Sequence, residues 1–240
     1  FVLERLRRTV TGIYYGALEM TAGGHTPVLR LDGLLTIQRW VEALAVFDAS
    51  GDYGVFAPLL AADGVPADKT RCLQDAAFFE RISNVADATR QLRTFLPALD
   101  APLPGASGLF QKRLRERLAW ARESNLAARQ RKLAHQYLHR GDFVRAAIFG
   151  YESLVSRLCI EQGCDPLDYP VREQVAQAFG AELHAGEHTD GKRNAFLTLK
   201  NLRNALAHGT HPRARRYNAS CATETISLRR SKGVCRGWRR

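Results

Sequence analysis

The chain has 240 residues, 45% hydrophobic and 25% charged, with a net charge of +11. That is enough to bury an ordinary core in one or two domains. It contains no apolar run near the ~18 residues of a membrane span and no signal-peptide pattern at its start. Five cysteines (Cys72, Cys159, Cys164, Cys221, Cys235) are an odd number without C-x-x-C spacing. Neither a disulfide framework nor a zinc site is expected, and a reducing, cytoplasmic setting is the default.

The positive charge is concentrated at one end. Nine basic residues and one acid follow His208, a net +8, which leaves +3 for the first 208 residues. A basic tail suits a polyanion such as RNA, with Arg213, Arg215 and Arg216 as its nearest contacts, and suits equally a solvated terminus.

In chain order, residues 1–8 (FVLERLRR) read as the end of an amphipathic helix, and the chain starts on phenylalanine. The phenylalanine start fits either processing or the C-terminal part of something longer, and the opening residues favour the second as the expectation. Val10 to Met20 is rich in β-branched and aromatic residues and reads as a strand, and Thr26 to Leu31 as a second one. Two strands make no stable sheet alone, so they are read as the last edge of an α/β domain.

From Leu34 the pattern becomes helical. Leu34, Leu35, Ile37, Val41, Leu44, Ala45 and Phe47 recur at helical spacing until Gly51-Asp52. Tyr53 to Ala62 predicts a short helix with Pro58 inside it, and Asp68 to Phe95 a single long one. Pro102, Pro104, Gly105 and Gly108 form the clearest linker, and a domain boundary is placed there. Leu109 to His139 is strongly helical, with Leu114, Leu118, Ala121 and Leu126 inward and arginines outward as a solvated face. Asp142 is a candidate N-cap for a helix with the stripe Phe143, Ala147, Leu154 and Leu158. Helices over Pro170 to Leu183 and Lys192 to His208 complete the set. The expected architecture is mainly α: a remnant of an α/β domain (1–32), a helical connector (33–104), an antiparallel helical bundle (105–209) and a basic tail (210–240).

The densest chemistry lies in Asn201–Gly209, where Arg203, Asn204 and His208 stand among small and apolar residues. At ~100° per residue, Arg203 and His208 are about 140° apart, while Asn204 and His208 share a face. Arg203 falls close to the stripe Phe196, Leu199, Leu206, so it needs a partner: a carboxylate such as Glu152, or a subunit junction. For Glu152, orienting Arg203 and serving in a structural ion pair both stand open. The set fits RNA cleavage without a metal or cofactor. A histidine titrating near ~6.5 moves the 2′-hydroxyl or leaving-group proton. An arginine holds the phosphate bidentately, and Asn204 donates to it or orients the histidine. One histidine is thin for both acid and base, and two copies about a twofold axis fit better. His135 and His139 have metal-ligand spacing but no glutamate or cysteine in register; His184 and His188 read as loop residues, and His211 as a minor assistant.

The motif R-N-x-x-x-H-G at the end of the last core helix resembles the Arg-x4–6-His signature of HEPN-domain ribonucleases. The segment Leu133 to Phe143 with its Gly141-Asp142 turn, continuing to Tyr151-Glu152, is similar to that domain's second landmark. GIYYGALE, followed by a Pro-containing strand and the Leu34–Phe47 helix with Trp40, looks like the end of a CARF sensor domain. That order matches the CRISPR-associated CARF–HEPN accessory ribonucleases of type III systems. The resemblance implies a homodimer with Arg203 and His208 catalytic, Asn204 their polar neighbour, and metal-independent cleavage of single-stranded RNA to a cyclic phosphate. It also implies activation by cyclic oligoadenylate bound to a CARF domain whose core lies outside this sequence. The other reading is a non-catalytic helical module that binds RNA or a protein, its R-N-x-x-x-H set holding a dimer interface. No membrane association is expected under either.

Overall fold

The computed structural model describes residues 12–185 and 190–210, and they are mainly helical. The one sheet among them is a hairpin of β1 (Tyr14–Gly16) and β2 (Val28–Arg30), antiparallel, with Tyr14 opposite Arg30. Both strands are exposed along their length. Three residues per strand is shorter than the segments expected, because Leu18–Met20 turns into a 3-10 helix and Gly23 and Gly24 take left-handed conformations in the connection.

Nine α-helices follow among the described residues: α1 (Asp32–Ser50), α2 (Ala57–Ala62), α3 (Ala67–Arg81), α4 (Val85–Phe95), α5 (Ser107–Leu118), α6 (Leu126–His139), α7 (Phe143–Glu161), α8 (Tyr169–Ala185) and α9 (Asp190–His208). Pro58 lies in the first turn of α2, where a missing N–H removes no helical bond. The single helix expected over 68–95 is two. Ser83 takes a left-handed φ of 65°, and the Asn84 side chain accepts the Asp87 N–H at 3.1 Å. An asparagine able to cap offers the chain an alternative to continuing the helix, and here that alternative wins. The run 109–139 divides the same way. Ala119–Arg122 tightens into a 3-10 turn, and Asn125 Oδ1 accepts the Ala128 N–H at 2.9 Å to start α6. Because Asn125 is exposed, Asn125→Ala is expected to remove mainly this cap, about 1 kcal/mol. Urea unfolding should show a lower midpoint with an unchanged m-value.

The main hydrophobic cluster runs from Trp40 to Phe149, across the Pro102–Gly108 stretch. Trp40 stacks between Phe56 (5.5 Å) and Phe110 (4.9 Å), and Tyr137 stacks on Phe149 at 5.5 Å. Two smaller clusters, Val155–Cys159–Val175 and Phe179–Leu183–Phe196, join α7 to α8 and α9. α7 therefore belongs to both regions. Some expected core faces differ. α1 buries Trp40 and Phe47 while Leu34, Ile37 and Val41 are exposed, and Phe143 at the start of α7 is 61% exposed. Asp142 caps α7 as expected, accepting the Arg145 N–H at 3.0 Å.

The expected solvated arginine face of 109–139 has one exception. Arg117 is 4% exposed, bonds Glu80, and donates to Gln136 Oε1 at 2.9 Å. The Tyr137 hydroxyl donates to the same Glu80 Oε1 at 2.5 Å. Arg117 also lies over the Tyr53 ring, 5.1 Å from its centroid. This polar knot ties α3, α5 and α6 together inside the main cluster. Burial, then the Glu80 charge, raises the Tyr53 phenol well above its ordinary range, and the same two causes act on Tyr137.

Candidate functional site

α9 packs on α7. Phe196 and Ala205 are buried, Leu199, Leu202 and Leu206 half-buried, and Phe196 meets Phe179 of α8 edge-on at 5.1 Å. Gly150 of α7 permits the approach: a Cβ there would come within 3.3 Å of Leu199 Cδ2. At its end, Gly209 adopts φ 61° and the Thr210 N–H bonds the Ala205 carbonyl at 2.9 Å. Only a residue free of Cβ strain takes that conformation cheaply, and the bond satisfies a carbonyl that the helix end leaves open. His208 is thus the last helical residue, and it is exposed.

One turn after Leu199, Arg203 emerges at the edge of the packed face. Its guanidinium carbon sits over the Tyr151 ring, 5.4 Å from the centroid, and its Nη1 donates to Asn204 Oδ1 at 3.2 Å. Arg203 itself is exposed, and no carboxylate partners it among the described contacts. A guanidinium snorkels: the stem follows the apolar stripe while the head reaches solvent over an aromatic face. Most of its five N–H donors stay available to an oxyanion.

Among the described contacts none joins Glu152 to Arg203. Glu152 pairs with Arg172 of α8, which also donates to Ser156 Oγ (2.8 Å) and the Pro166 carbonyl (2.7 Å). The arginine facing Glu152 comes from the neighbouring helix rather than from α9. Tyr151, flanked by these groups, has its phenol pKa raised by burial, with Glu152 adding to the rise and Arg203 and Arg172 opposing it.

Among the described contacts none joins Arg203 to His208, in keeping with their ~140° divergence on one helix. Asn204 is half-buried and engaged with Arg203, not with His208. Arg213, Arg215 and Arg216, the expected tail contacts, lie outside the described residues, as do His188 and His211. His135 and His139 are both exposed on α6. Sequence reasoning gave no role to Tyr151 or Arg172. Tyr151 was within reach, since it continues the stripe Phe143–Ala147 at i+4 and i+8; Arg172 carried no signal, because its partner is remote in sequence.

No family model, curated protein or solved structure was found to match this chain.

Proposed function

We propose that the chain supplies half of a HEPN-type, metal-independent endoribonuclease that cuts single-stranded RNA as a homodimer in type III CRISPR defence. The observation that carries this reading is the accessible Arg203 edge, held by Tyr151 and Asn204, five residues before the exposed His208 at a glycine-stopped helix end. On that reading Arg203 holds the scissile phosphate and offsets the charge that grows on its oxygens. His208 of one protomer takes the proton of the 2′-hydroxyl as the 2′-oxygen bonds phosphorus. The bond from phosphorus to the 5′-oxygen breaks, and His208 of the other protomer protonates that leaving oxygen. The products are a 2′,3′-cyclic phosphate and a 5′-hydroxyl. Asn204 is a positioning residue that fixes Arg203. The hairpin of β1 and β2 is assigned to the last edge of a CARF domain, where cyclic oligoadenylate acts as the switch, and residues 105–209 to the HEPN bundle. The basic tail, with Arg213, Arg215 and Arg216, is assigned to the RNA backbone on charge alone.

A second reading, a non-catalytic dimerisation module binding RNA or protein, is favoured by one feature: Arg203 is already engaged by Tyr151 and Asn204. Arg203→Ala separates the two. The nuclease reading expects single-stranded RNA cleavage to fall by about 10²-fold or more with the sedimentation coefficient unchanged. A dimer that dissociates in this variant, together with wild-type protein that leaves RNA intact, identifies the binding module instead.

A further inference from the structure

At its C-terminal end α7 closes in a turn that sets two cysteines against each other. Gly163 adopts φ 69°, its N–H bonds the Ile160 carbonyl at 3.1 Å, and the Cys164 N–H bonds the Cys159 carbonyl at 2.8 Å. Those two bonds are the Schellman ending of a helix, in which the residue after the left-handed glycine folds back over the last full turn. A backbone bond of this kind holds two Cα atoms about 5.5 Å apart, within the roughly 4.4–6.8 Å that a disulfide spans. The side chains follow. Cys159 is buried with Val155 and Val175, and Cys164 packs against the same cluster. Both are free thiols.

The two thiols differ in access, and the difference sets their order of reaction. Cys164 is half-buried, and Gln162, Gly163 and Asp165 around it are exposed, so it keeps part of its surface in solvent. Cys159 is 0% exposed, and the group able to reach it is one already inside, the Cys164 sulfur. Burial raises the Cys159 thiol above its ordinary range, with Arg172 opposing and Cys164 adding to the rise, which puts the two thiols within electrostatic reach. The far side of the turn is tied down. Asp165 Oδ1 accepts the Leu167 N–H at 2.8 Å, and Arg172 donates to the Pro166 carbonyl at 2.7 Å.

We propose that Cys159 and Cys164 form a reversible oxidation site, in which a hydroperoxide oxidises Cys164 and Cys159 resolves the product into a disulfide. First the Cys164 sulfur bonds one peroxide oxygen as the O–O bond breaks; the thiol proton leaves with the other oxygen, as water when the oxidant is hydrogen peroxide. Then the Cys159 sulfur bonds the Cys164 sulfur, the S–O bond breaks, and the departing hydroxide takes the Cys159 proton as a second water. The two thiols lose two electrons, and the peroxide gains them. An external dithiol reverses the change. The site is independent of the RNA-cleavage reading, and a transient disulfide of this kind is compatible with a reducing setting.

The test treats the folded 240-residue chain with hydrogen peroxide, blocks the remaining thiols with N-ethylmaleimide after unfolding, and weighs the tryptic peptides. Trypsin cuts after Arg157 and Arg172, so the peptide Leu158–Arg172 carries both cysteines and no third. That peptide is expected unlabelled and about 2 Da lighter, restored by dithiothreitol, and at least tenfold in excess of any other cysteine pairing. Cys164→Ser should slow oxidation of Cys159 at least tenfold, since the buried thiol then has no oxidised neighbour. Cys159→Ala, which keeps the cluster apolar, should leave Cys164 as a sulfenic acid that dimedone captures. Three results overturn the proposal: both cysteines labelled after peroxide, Cys164 carried to sulfinic acid while Cys159 stays a thiol, or Cys159 oxidised in Cys164→Ser as fast as in wild type.

Discussion

His208→Ala is expected to lower single-stranded RNA cleavage by about 10³-fold, and the wild-type rate should be indifferent to EDTA. The size follows from the role. On the proposed reading, each cut in a dimer needs one imidazole to accept a proton and one to give it, and the substitution removes both. Because His208 is exposed at a helix end, its loss should leave stability within about 0.5 kcal/mol, so a lower rate reports chemistry and not unfolding. Equal rates with and without His208, or activity lost with EDTA, would remove the catalytic assignment.

Glu80→Ala should be the most destabilising single substitution outside the apolar core. It leaves the Arg117 guanidinium, 3% exposed at its side chain, without its counter-charge. Breaking one side of a buried pair removes about 3–5 kcal/mol, a large part of the usual stability of a domain. For a chain of this size that lowers Tm by roughly 10 °C. The double variant Glu80→Leu/Arg117→Met should recover much of the loss, since two apolar side chains of similar volume leave no charge behind. If the single variant unfolds within 1 kcal/mol of wild type by urea titration, the knot does not fasten α3, α5 and α6.

The two substitutions probe residues that differ in how far the sequence announced them. Arg203, Asn204 and His208 are neighbours on one helix, and a short periodic stretch ended by glycine can be read without knowing the fold. Glu80 and Arg117 are separated by 37 positions with the whole of α4 between them, and Arg117 sits among Arg113, Arg115 and Glu116, where nothing local distinguishes it. The exposed Leu34, Ile37 and Val41 teach the same lesson from the apolar side. Helical spacing placed them on one stripe, but α1 turns Trp40 and Phe47 inward because the aromatic cluster of Phe56 and Phe110 lies there.

What the sequence determined by itself is local. Hydrophobic periodicity established a mainly helical chain, Gly51 and Gly209 marked helix ends through left-handed backbone, and Asp142 announced its helix by capping it. Capping asparagines at 84 and 125 were present in the sequence too, but whether they end a helix depends on competition with continued packing. The tertiary structure decided that competition. It also decided that Glu152 belongs to Arg172, that Arg203 rests on Tyr151 instead of being buried, and that Arg117 is inside. The reason is one of range: caps and periodicity act over a few residues, whereas the partner of a charge is chosen by which helices pack together.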